Sequence, residues 1–240
     1  MGGRLVYVGH ATVLVELDGV RILTDPVLRT WTLHLRRRVP LPTEPLDDLG
    51  AILISHVHYD HLDMRSLKSL SRDVPVVAPR GTRRVLRRFS EVRELEVYGE
   101  TELGGVTVRA VPAEHGGARL NLRSAPSLGY VIEGSRSVYF AGDTDLFPEM
   151  AGLSPGLDVA LVPVAGWGSK VGAGHLDARR AAAAVRMLEP KVAVPIHWGT
   201  LSTPGRPVSS EPALDFERLV AEQSPAVEVR VLRPGESLDL

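Results

Sequence analysis

The chain of 240 residues contains no cysteine. Disulfide bonds, thiolate metal ligands and a cysteine nucleophile are therefore excluded, and any metal site must use nitrogen and oxygen donors. No apolar run approaches the roughly 18 residues that a membrane span requires. The N-terminus also lacks the basic start and apolar stretch of a secretory signal. We expect a soluble cytoplasmic protein without a membrane span.

Charge of either sign is not in excess, since the formal net charge is −1. Such a chain has no overall field that would attract nucleic acid or an anionic membrane, so a contact of that kind would need a local patch. We expect a small-molecule substrate and no nucleic-acid partner. Homo-oligomerisation stays open, because a sequence does not distinguish an exposed apolar patch from a buried strand.

Short apolar runs recur along the chain and predict a sheet-rich α/β protein. The predicted strands cover residues 5–8, 13–17, 21–23, 51–54, 74–78, 106–111, 130–132, 137–140, 159–164, 192–196 and 227–232. Helical patterns cover residues 64–70, 82–89, 178–188 and 213–221. Strands that first follow one another and then alternate with helices suggest two sheets packed face to face with helices outside. No low-complexity linker divides the chain, so we expect one domain over residues 1–240.

Two long segments are predicted to be loops, at residues 29–48 and 166–174. The first is rich in arginine and proline, and it could form a lid over a site or a solvated loop. The second contains four glycines, with Trp167 and Lys170 as candidates for a pocket wall or an ordinary surface. Long loops in a compact domain are commonly functional or disordered.

Three histidines and an aspartate fall within residues 56–61, directly after the apolar run 51–54. The segment reads His-Val-His-Tyr-Asp-His. A strand followed by a tight loop can turn several side chains toward one point, and neutral imidazole and carboxylate are ligands that suit zinc, manganese or iron. The alternative is a solvated loop in which one residue caps the helix that begins at Met64. Histidine at this density after a strand favours a metal site.

Further metal-binding residue types follow other predicted strands. His115 comes shortly after the run 106–111, Asp143 follows 137–142, and His197 closes 192–196. Each of these alone is more typical of a structural residue than of a ligand. Together they predict one site, because strand ends in a layered sheet fold can meet at one edge.

In this order, the motifs resemble those of the metallo-β-lactamase superfamily. The five matching positions are Asp25, the segment from His56 to His61, His115, Asp143 and His197. The resemblance covers nearly the whole chain and implies an αββα sandwich of two mixed sheets with the site at one edge. It implies that the first metal is bound by His56, His58 and His115, that the second is bound by Asp60, His61 and His197, and that Asp143 bridges the two.

Finer motifs resemble one branch of that superfamily, which includes L-ascorbate-6-phosphate lactonase and N-acyl phosphatidylethanolamine phospholipase D. These motifs are residues 9–14, 23–26, 174–177 and 197–200. The branch implies a hydrolase of a small phosphodiester, phospholipid-like or lactone substrate. The commonest true β-lactamases use a cysteine ligand that this chain lacks, and flavodiiron oxidoreductases carry Glu where this chain has His58.

The resemblance implies two divalent ions, with zinc favoured and manganese or iron accepted. A hydroxide shared by the ions would attack phosphorus or a carbonyl carbon, with Asp60, Asp143 and His175 as the predicted catalytic residues. His175 would contact substrate or protonate the leaving group, unless it serves only local structure.

Two more polar residues are predicted near the metals. Asp25 would accept a hydrogen bond from a ligand histidine, or else form the turn before Pro26. His10 would reach the metal edge or satisfy a backbone group. The alternatives to a two-metal hydrolase are a mononuclear sugar-phosphate lactonase, a nuclease and a non-catalytic metal-binding sensor.

Overall fold

The computed structural model of the chain describes residues 2–116, 125–153, 155–165 and 171–240. Trp167 and Lys170, the two candidates for a pocket wall, lie outside these ranges. Within the described ranges, no helix is long and apolar enough to cross a bilayer.

Most of the described chain forms strands arranged in two large sheets and one small sheet. The strands are β1 Arg4–Gly9, β2 Thr12–Leu17, β3 Val20–Thr24, β4 Trp31–Thr32, β5 Leu35–Arg37, β6 Ala51–Leu53, β7 Val76–Pro79, β8 Val92–Leu95, β9 Glu100–Leu103, β10 Val106–Pro112, β11 Leu128–Glu133, β12 Ser137–Phe140, β13 Val159–Pro163, β14 Val192–Ile196, β15 Leu201–Ser202, β16 Glu228–Val229 and β17 Ser237–Asp239. The helices are α1 Met64–Leu67, α2 Ala178–Leu188 and α3 Glu211–Gln223, with a 3-10 helix at Pro148–Gly152.

Both large sheets have seven strands and mix antiparallel with parallel pairing. The first sheet has the order β17-β1-β2-β3-β6-β7-β8, and its strands become parallel from β3 onward. The second has the order β16-β14-β13-β12-β11-β10-β9, and it is parallel from β12 to β16. The small sheet pairs β15 with β5 and β5 with β4. Parallel strands place their carboxyl ends at one edge, so residues that follow them in sequence can meet there.

The main apolar core lies between the two large sheets. Tyr7, Val13, Val108 and Tyr130 are among the side chains buried there. The amphipathic helices α2 and α3 cover the outer face of the second sheet. The outer face of the first sheet is covered by α1 and the turns of residues 80–91. The αββα sandwich predicted from the sequence is confirmed.

The predicted helix over residues 82–89 is wrong. Turns occupy this segment, with Leu86 and Phe89 buried against the first sheet. Hydrogen bonds to other elements hold it: the backbone N–H of Arg83 donates to Glu94, and a guanidinium N–H of Arg88 donates to the Leu67 carbonyl. A helix this short is marginal without support, so these tertiary contacts determine its conformation. The predicted strand 227–232 shortens to Glu228–Val229.

Candidate metal centre

Residues at the ends of several strands converge on one edge of the sandwich. Asp25 follows β3, His56 follows β6, Asp143 follows β12 and His197 follows β14. These strands belong to the parallel parts of both sheets, which explains why their carboxyl ends meet there. His115 follows β10 from the antiparallel part of the second sheet.

Three histidines form the first candidate ligand group: His56, His58 and His115. One ring nitrogen of each lies within 4.8 Å of the corresponding nitrogen of the other two. The Nδ1 of His58 is 3.0 Å from the Nε2 of His115. His56 is buried, whereas the other two are half-buried. This group therefore faces the more open side of the site.

Four buried residues form the second candidate ligand group: His10, Asp60, His61 and His197. The Nε2 atoms of His61 and His197 are 3.3 Å apart. The Asp60 Oδ2 lies 3.8 Å from the first of these atoms and 3.7 Å from the second. The Nε2 of His10 is 3.3 Å from the same oxygen. Separations of this size suit donors that share one ion, because each metal–ligand bond would be about 2 Å long.

The carboxylate of Asp143 lies between the two groups. Its Oδ2 is 3.2 Å from the Nε2 of His61 and 3.9 Å from the Nε2 of His56. Its Oδ1 is 3.3 Å from the Nε2 of His197. Asp143 is thus the residue whose two oxygens face histidines of both groups.

Acceptors behind the histidines fix which ring nitrogen faces the site. The Nδ1 atoms of His115 and His197 lie 2.6 Å from the carbonyl oxygens of Gly174 and Ala165. A carbonyl oxygen can only accept, so each Nδ1 donates its proton and each Nε2 keeps its lone pair for the site. The Nδ1 of His61 donates in the same way to Asp25, at 2.7 Å.

Asp25 and Ser55 together hold a histidine from each group. The carboxylate of Asp25 is fully buried and accepts the backbone N–H of Ser55 at 2.7 Å, in addition to its bond with His61. The Ser55 hydroxyl donates to the same carboxylate and accepts from the Nδ1 of His56 at 2.9 Å. The sequence-based prediction placed Asp25 behind a ligand histidine but did not include Ser55. Its position between a buried strand and His56 was the only available signal.

The donor set fits a divalent metal ion. The Nε2 of His56 and the Oδ1 of Asp143 are buried without a hydrogen-bond partner among the described residues. A buried polar atom without a partner costs about 1–3 kcal/mol. The Nε2 atoms of His61 and His197 are 3.3 Å apart, and the carboxylates of Asp60 and Asp143 beside them would stabilise a cation held there. Imidazole and carboxylate donors suit zinc, manganese and iron.

Burial keeps several of these imidazoles neutral. It lowers the pKa of His10 to about 3 and that of His115 to about 4, and it holds the pKa of His56 well below its usual range. Burial also opposes a charge on His61, but the carboxylates of Asp143, Asp25 and Asp60 outweigh it and hold the His61 pKa well above its usual range. Positive charge is therefore favoured at the His61 position.

The carboxylates respond to the same surroundings. Burial alone would raise the pKa values of Asp60 and Asp143, but His61 and the neighbouring imidazoles lower both well below their usual range. Both carboxylates are ionised at neutral pH and can act as ligands.

His175 lies at the rim of this arrangement. Its Nε2 is 3.4 Å from the Oδ2 of Asp143, and its side chain is 29% exposed. Its ring lies against that of His115, with centroids 4.6 Å apart. The hydrogen bond with Asp143 is the main cause that raises the pKa of His175. The structure thus places His175 where it can contact both the ligand groups and an incoming molecule.

Strained backbone supports two of the buried histidines. His10 and His197 have φ angles of 61° and 63°, in the left-handed region that residues other than glycine rarely adopt. The backbone N–H of His197 donates to the carbonyl oxygen of His10 at 2.8 Å, so each turn supports the other. Strain of this kind is concentrated at functional sites.

Comparison with known proteins agrees with this geometry. Residues 20–198 match the beta-lactamase superfamily domain. The chain belongs to the beta-lactamase superfamily. The matched range runs from β3 to the residue after His197, and so includes all of the predicted metal ligands.

Similar proteins share nearly their whole length with this chain. A UPF0173 metal-dependent hydrolase of Methanopyrus kandleri is 33% identical over 245 residues, covering 98% of this chain and 99% of the relative. A UPF0173 protein of Pyrococcus furiosus is 33% identical over 242 residues, covering 99% and 100%.

A solved structure extends the likeness to the fold. Igni18, a metallo hydrolase from the hyperthermophilic archaeon Ignicoccus hospitalis, matches with a TM-score of 0.73 at 26% identity, covering 100% of this chain and 99% of that one. The protein is thus a metal-dependent hydrolase of the metallo-β-lactamase superfamily.

Proposed function

We propose that this chain is a two-metal hydrolase of a small phosphodiester or phospholipid-like substrate, with a lactone as the second candidate. The position of Asp143 carries this proposal, because its carboxylate faces histidines of both ligand groups. The proposed ligands of the first ion are His56, His58 and His115, those of the second are Asp60, His61 and His197, and Asp143 is shared. His10 would hold the Asp60 carboxylate through its Nε2 rather than bind the ion. The whole chain would act as one domain.

Divalent ions held by these residues would lower the pKa of water and withdraw electrons from the bond to be broken. The protein's own part is to fix the donors, since the acceptors behind His56, His61, His115 and His197 prevent the rings from turning. Because the chain has no cysteine, and water can be activated at such a site, the proposal requires no covalent protein nucleophile.

His175 is the proposed proton donor to the leaving group. It is accessible at the rim, and its Nε2 is within 3.4 Å of Asp143. A guanidinium N–H of Arg180 donates to the His175 carbonyl at 3.0 Å, which holds the backbone at this position. A proton on Nε2 can pass to a substrate oxygen bound next to Asp143.

The substrate class rests on the motifs shared with the lactonase and phospholipase branch. Residues 174–177 place His175 two residues before Asp177, whose side chain caps the N-terminus of α2. Both branch enzymes act on phosphate-bearing molecules, which favours an anionic substrate. A nuclease is disfavoured by the net charge of −1, because nucleic-acid binding depends on many phosphate contacts.

The decisive experiment combines metal analysis with hydrolysis. Elemental analysis should give about two ions per chain, and bis(p-nitrophenyl) phosphate should be hydrolysed. Asp143→Ala should lose at least one ion and reduce turnover by more than about a hundredfold. Asp215→Ala is the matched control, because this carboxylate is exposed on α3 and should change neither quantity.

Three results would contradict the proposal in different ways. One ion per chain with hydrolysis of a lactone alone would identify a mononuclear lactonase. Two ions without turnover of either substrate type would favour a metal-binding sensor. No bound metal after supplementation with zinc, manganese or iron would exclude the metal centre itself.

A further inference from the structure

A short hairpin stands beside the metal centre. We call residues 29–38 the arginine hairpin; it contains β4, β5 and the turn at Leu33 and His34. Its second strand pairs with β15, which follows His197 by only a few residues. The hydroxyl of Thr32 donates to the carbonyl oxygen of Tyr59, inside the metal-binding motif, at 2.9 Å. The hairpin is therefore fixed directly to the frame of the site.

The inner face of the hairpin is firmly anchored. Leu35 is fully buried and packs with Val27 and Leu201. Arg37 is 7% exposed, and its guanidinium donates to the carbonyl oxygens of Val27 at 2.6 Å and Val8 at 3.3 Å. These contacts stabilise the base of the hairpin, so the residues at its tip have a fixed position and point outward.

The outer face carries two large apolar side chains that are exposed to solvent. Leu33, at the tip, is 73% exposed and is the most exposed large apolar residue described, while Trp31 is 42% exposed. Leu33 adopts a left-handed φ of 48°, which is unfavourable for leucine. Apolar side chains held outward at such a cost are typical of an interaction surface.

Positive charge surrounds these apolar residues. Residues 26–43 contain four arginines and no aspartate or glutamate. Arg36 lies over the Trp31 ring, with its Cζ 5.6 Å from the ring centroid, and no described carboxylate forms an ion pair with it. Arg38 is held by the Ser202 hydroxyl and the Thr203 carbonyl, neither of which neutralises it. Arg29 is the member that faces a carboxylate, with Asp63 at 3.6 Å.

We propose that the arginine hairpin docks the protein on an anionic lipid bilayer, with Leu33 and Trp31 entering the interface and Arg36 and Arg38 contacting lipid phosphates. Tryptophan side chains prefer the headgroup level of a bilayer, and leucine side chains prefer the boundary of the acyl chains. Arginine side chains bind lipid phosphates. The near-zero net charge does not oppose this contact, because the attraction is local and decays within about a Debye length.

Docking in this way would bring the metal centre to the bilayer surface. A hairpin fixed to Tyr59 and to the segment after His197 holds the catalytic edge next to the lipid. This extension rests on the proposed function, since it makes the phospholipid-like substrate the favoured one. A second copy of this chain is the competing occupant, but the uncompensated cationic side chains would repel the same surface of another copy.

Vesicle binding tests the proposal without turnover. The full chain should sediment with vesicles of equal parts phosphatidylcholine and phosphatidylserine, should not sediment with phosphatidylcholine alone, and should be released by high salt. Arg36→Gln should weaken partitioning about fivefold. The double variant with Trp31→Ala and Leu33→Ser should abolish it. Leu214→Ser and Arg186→Gln are matched controls, because both residues are exposed elsewhere, on α3 and α2, and should have no effect.

Several outcomes would overturn the proposal. These are no binding by the unmodified chain, equal binding by the hairpin variants, or binding that ignores lipid charge. A chain that is dimeric in light scattering and becomes monomeric in the Leu33→Ser variant would assign the surface to a second copy. Metal content and hydrolysis of a soluble phosphodiester are measured on the same samples, so failure of docking and failure of the proposed hydrolase are distinguished.

Discussion

The hydroxyl of Ser55 links a buried carboxylate to a candidate metal ligand. It donates to Asp25 and accepts from the Nδ1 of His56. This bond directs the Nε2 of His56 into the site, where it has no hydrogen-bond partner among the described residues. At the scale of single residues, the orientation of each ring depends on such a contact as much as on the ring itself.

Removing that hydroxyl should weaken the first ligand group. We expect Ser55→Ala to lower affinity for zinc about 10- to 100-fold, because His56 is then free to turn or to change tautomer. Titration against a chromophoric chelator measures this directly. Ser69→Ala is the control, since its hydroxyl donates only to the Ser66 carbonyl, at 2.7 Å. Equal affinity in the two variants would show that Ser55 does not orient the ligand.

The grouping of residues at the site could be predicted, whereas their supporting contacts could not. His56, Asp60 and His61 stand out because ligand types are dense after a buried strand. Ser55 does not stand out, since a serine at a strand end is common. The carbonyl oxygens of Gly174 and Ala165 have no sequence signature at all, because every residue carries a carbonyl oxygen.

At the scale of elements, the site depends on how closely two strand ends approach. Gly142, two residues after β12, has a φ of 60°, and a Cβ atom there would lie 2.6 Å from the Ser55 Cβ. Ser55 follows β6 of the other sheet. The absence of a side chain at Gly142 therefore allows the two sheets to bring Asp143 and His56 together.

Gly142→Ala should destabilise the fold and disturb the metal centre. We expect the free energy of unfolding to fall by about 1–2 kcal/mol because of the left-handed backbone and by about 1–3 kcal/mol more because of the contact with Ser55. Gly156→Ala separates these effects, because its φ is 75° and no atom of the described residues lies within 4 Å of the added Cβ. Urea unfolding measures both variants. If both variants lose the same free energy of unfolding, the contact between Gly142 and Ser55 does not limit how closely the two strands approach.

Elements could be predicted where the hydrophobic pattern is long. The runs that became β2, β12 and β14 were recognised almost to the residue. The strands β4 and β5 were not, because two or three residues are too few to show alternation. The segment 82–89 has helical spacing, but contacts with β8 and α1 override that preference.

At the scale of the whole molecule, the buried neutral histidines make stability depend on pH. The pKa of His115 is lowered from 6.5 to about 4 and that of His10 to about 3, both by burial first. Below pH 6.5 the unfolded chain therefore binds protons that the folded chain does not, so acid lowers the free energy of unfolding. His61, whose pKa is raised, binds protons differently in the folded and unfolded states only above pH 6.5, so it does not cancel this effect.

Chelator-treated protein should thus lose stability as the pH falls from 6.5 toward about 4, by up to about 1.4 kcal/mol per pH unit for each such histidine. Asp25, whose pKa is raised, binds its proton more readily in the folded state, so it adds stability at the acid end of this range. Urea midpoints at a series of pH values measure the slope. His115→Gln removes one titrating group and should give a shallower slope. A midpoint that is constant or rises toward acid would contradict the prediction.

The order of motifs along the chain was enough to predict the sandwich and the edge that carries the site, because one family combines them in that order. The hairpin surface could not be predicted. In the sequence, Trp31 and Leu33 have the same apolar character as Leu35, and only the pairing of β4 with β5 shows which side chains point outward.

The shared carboxylate of Asp25 has a thermodynamic consequence. It holds His61 of the second ligand group directly and His56 of the first through Ser55. Binding of one ion would fix this network, so the second ion would find its ligands already ordered and lose less entropy on binding. The two sites would then have a favourable coupling free energy. Metal uptake would be cooperative, and chains with a single ion would be fewer than if the two sites bound independently.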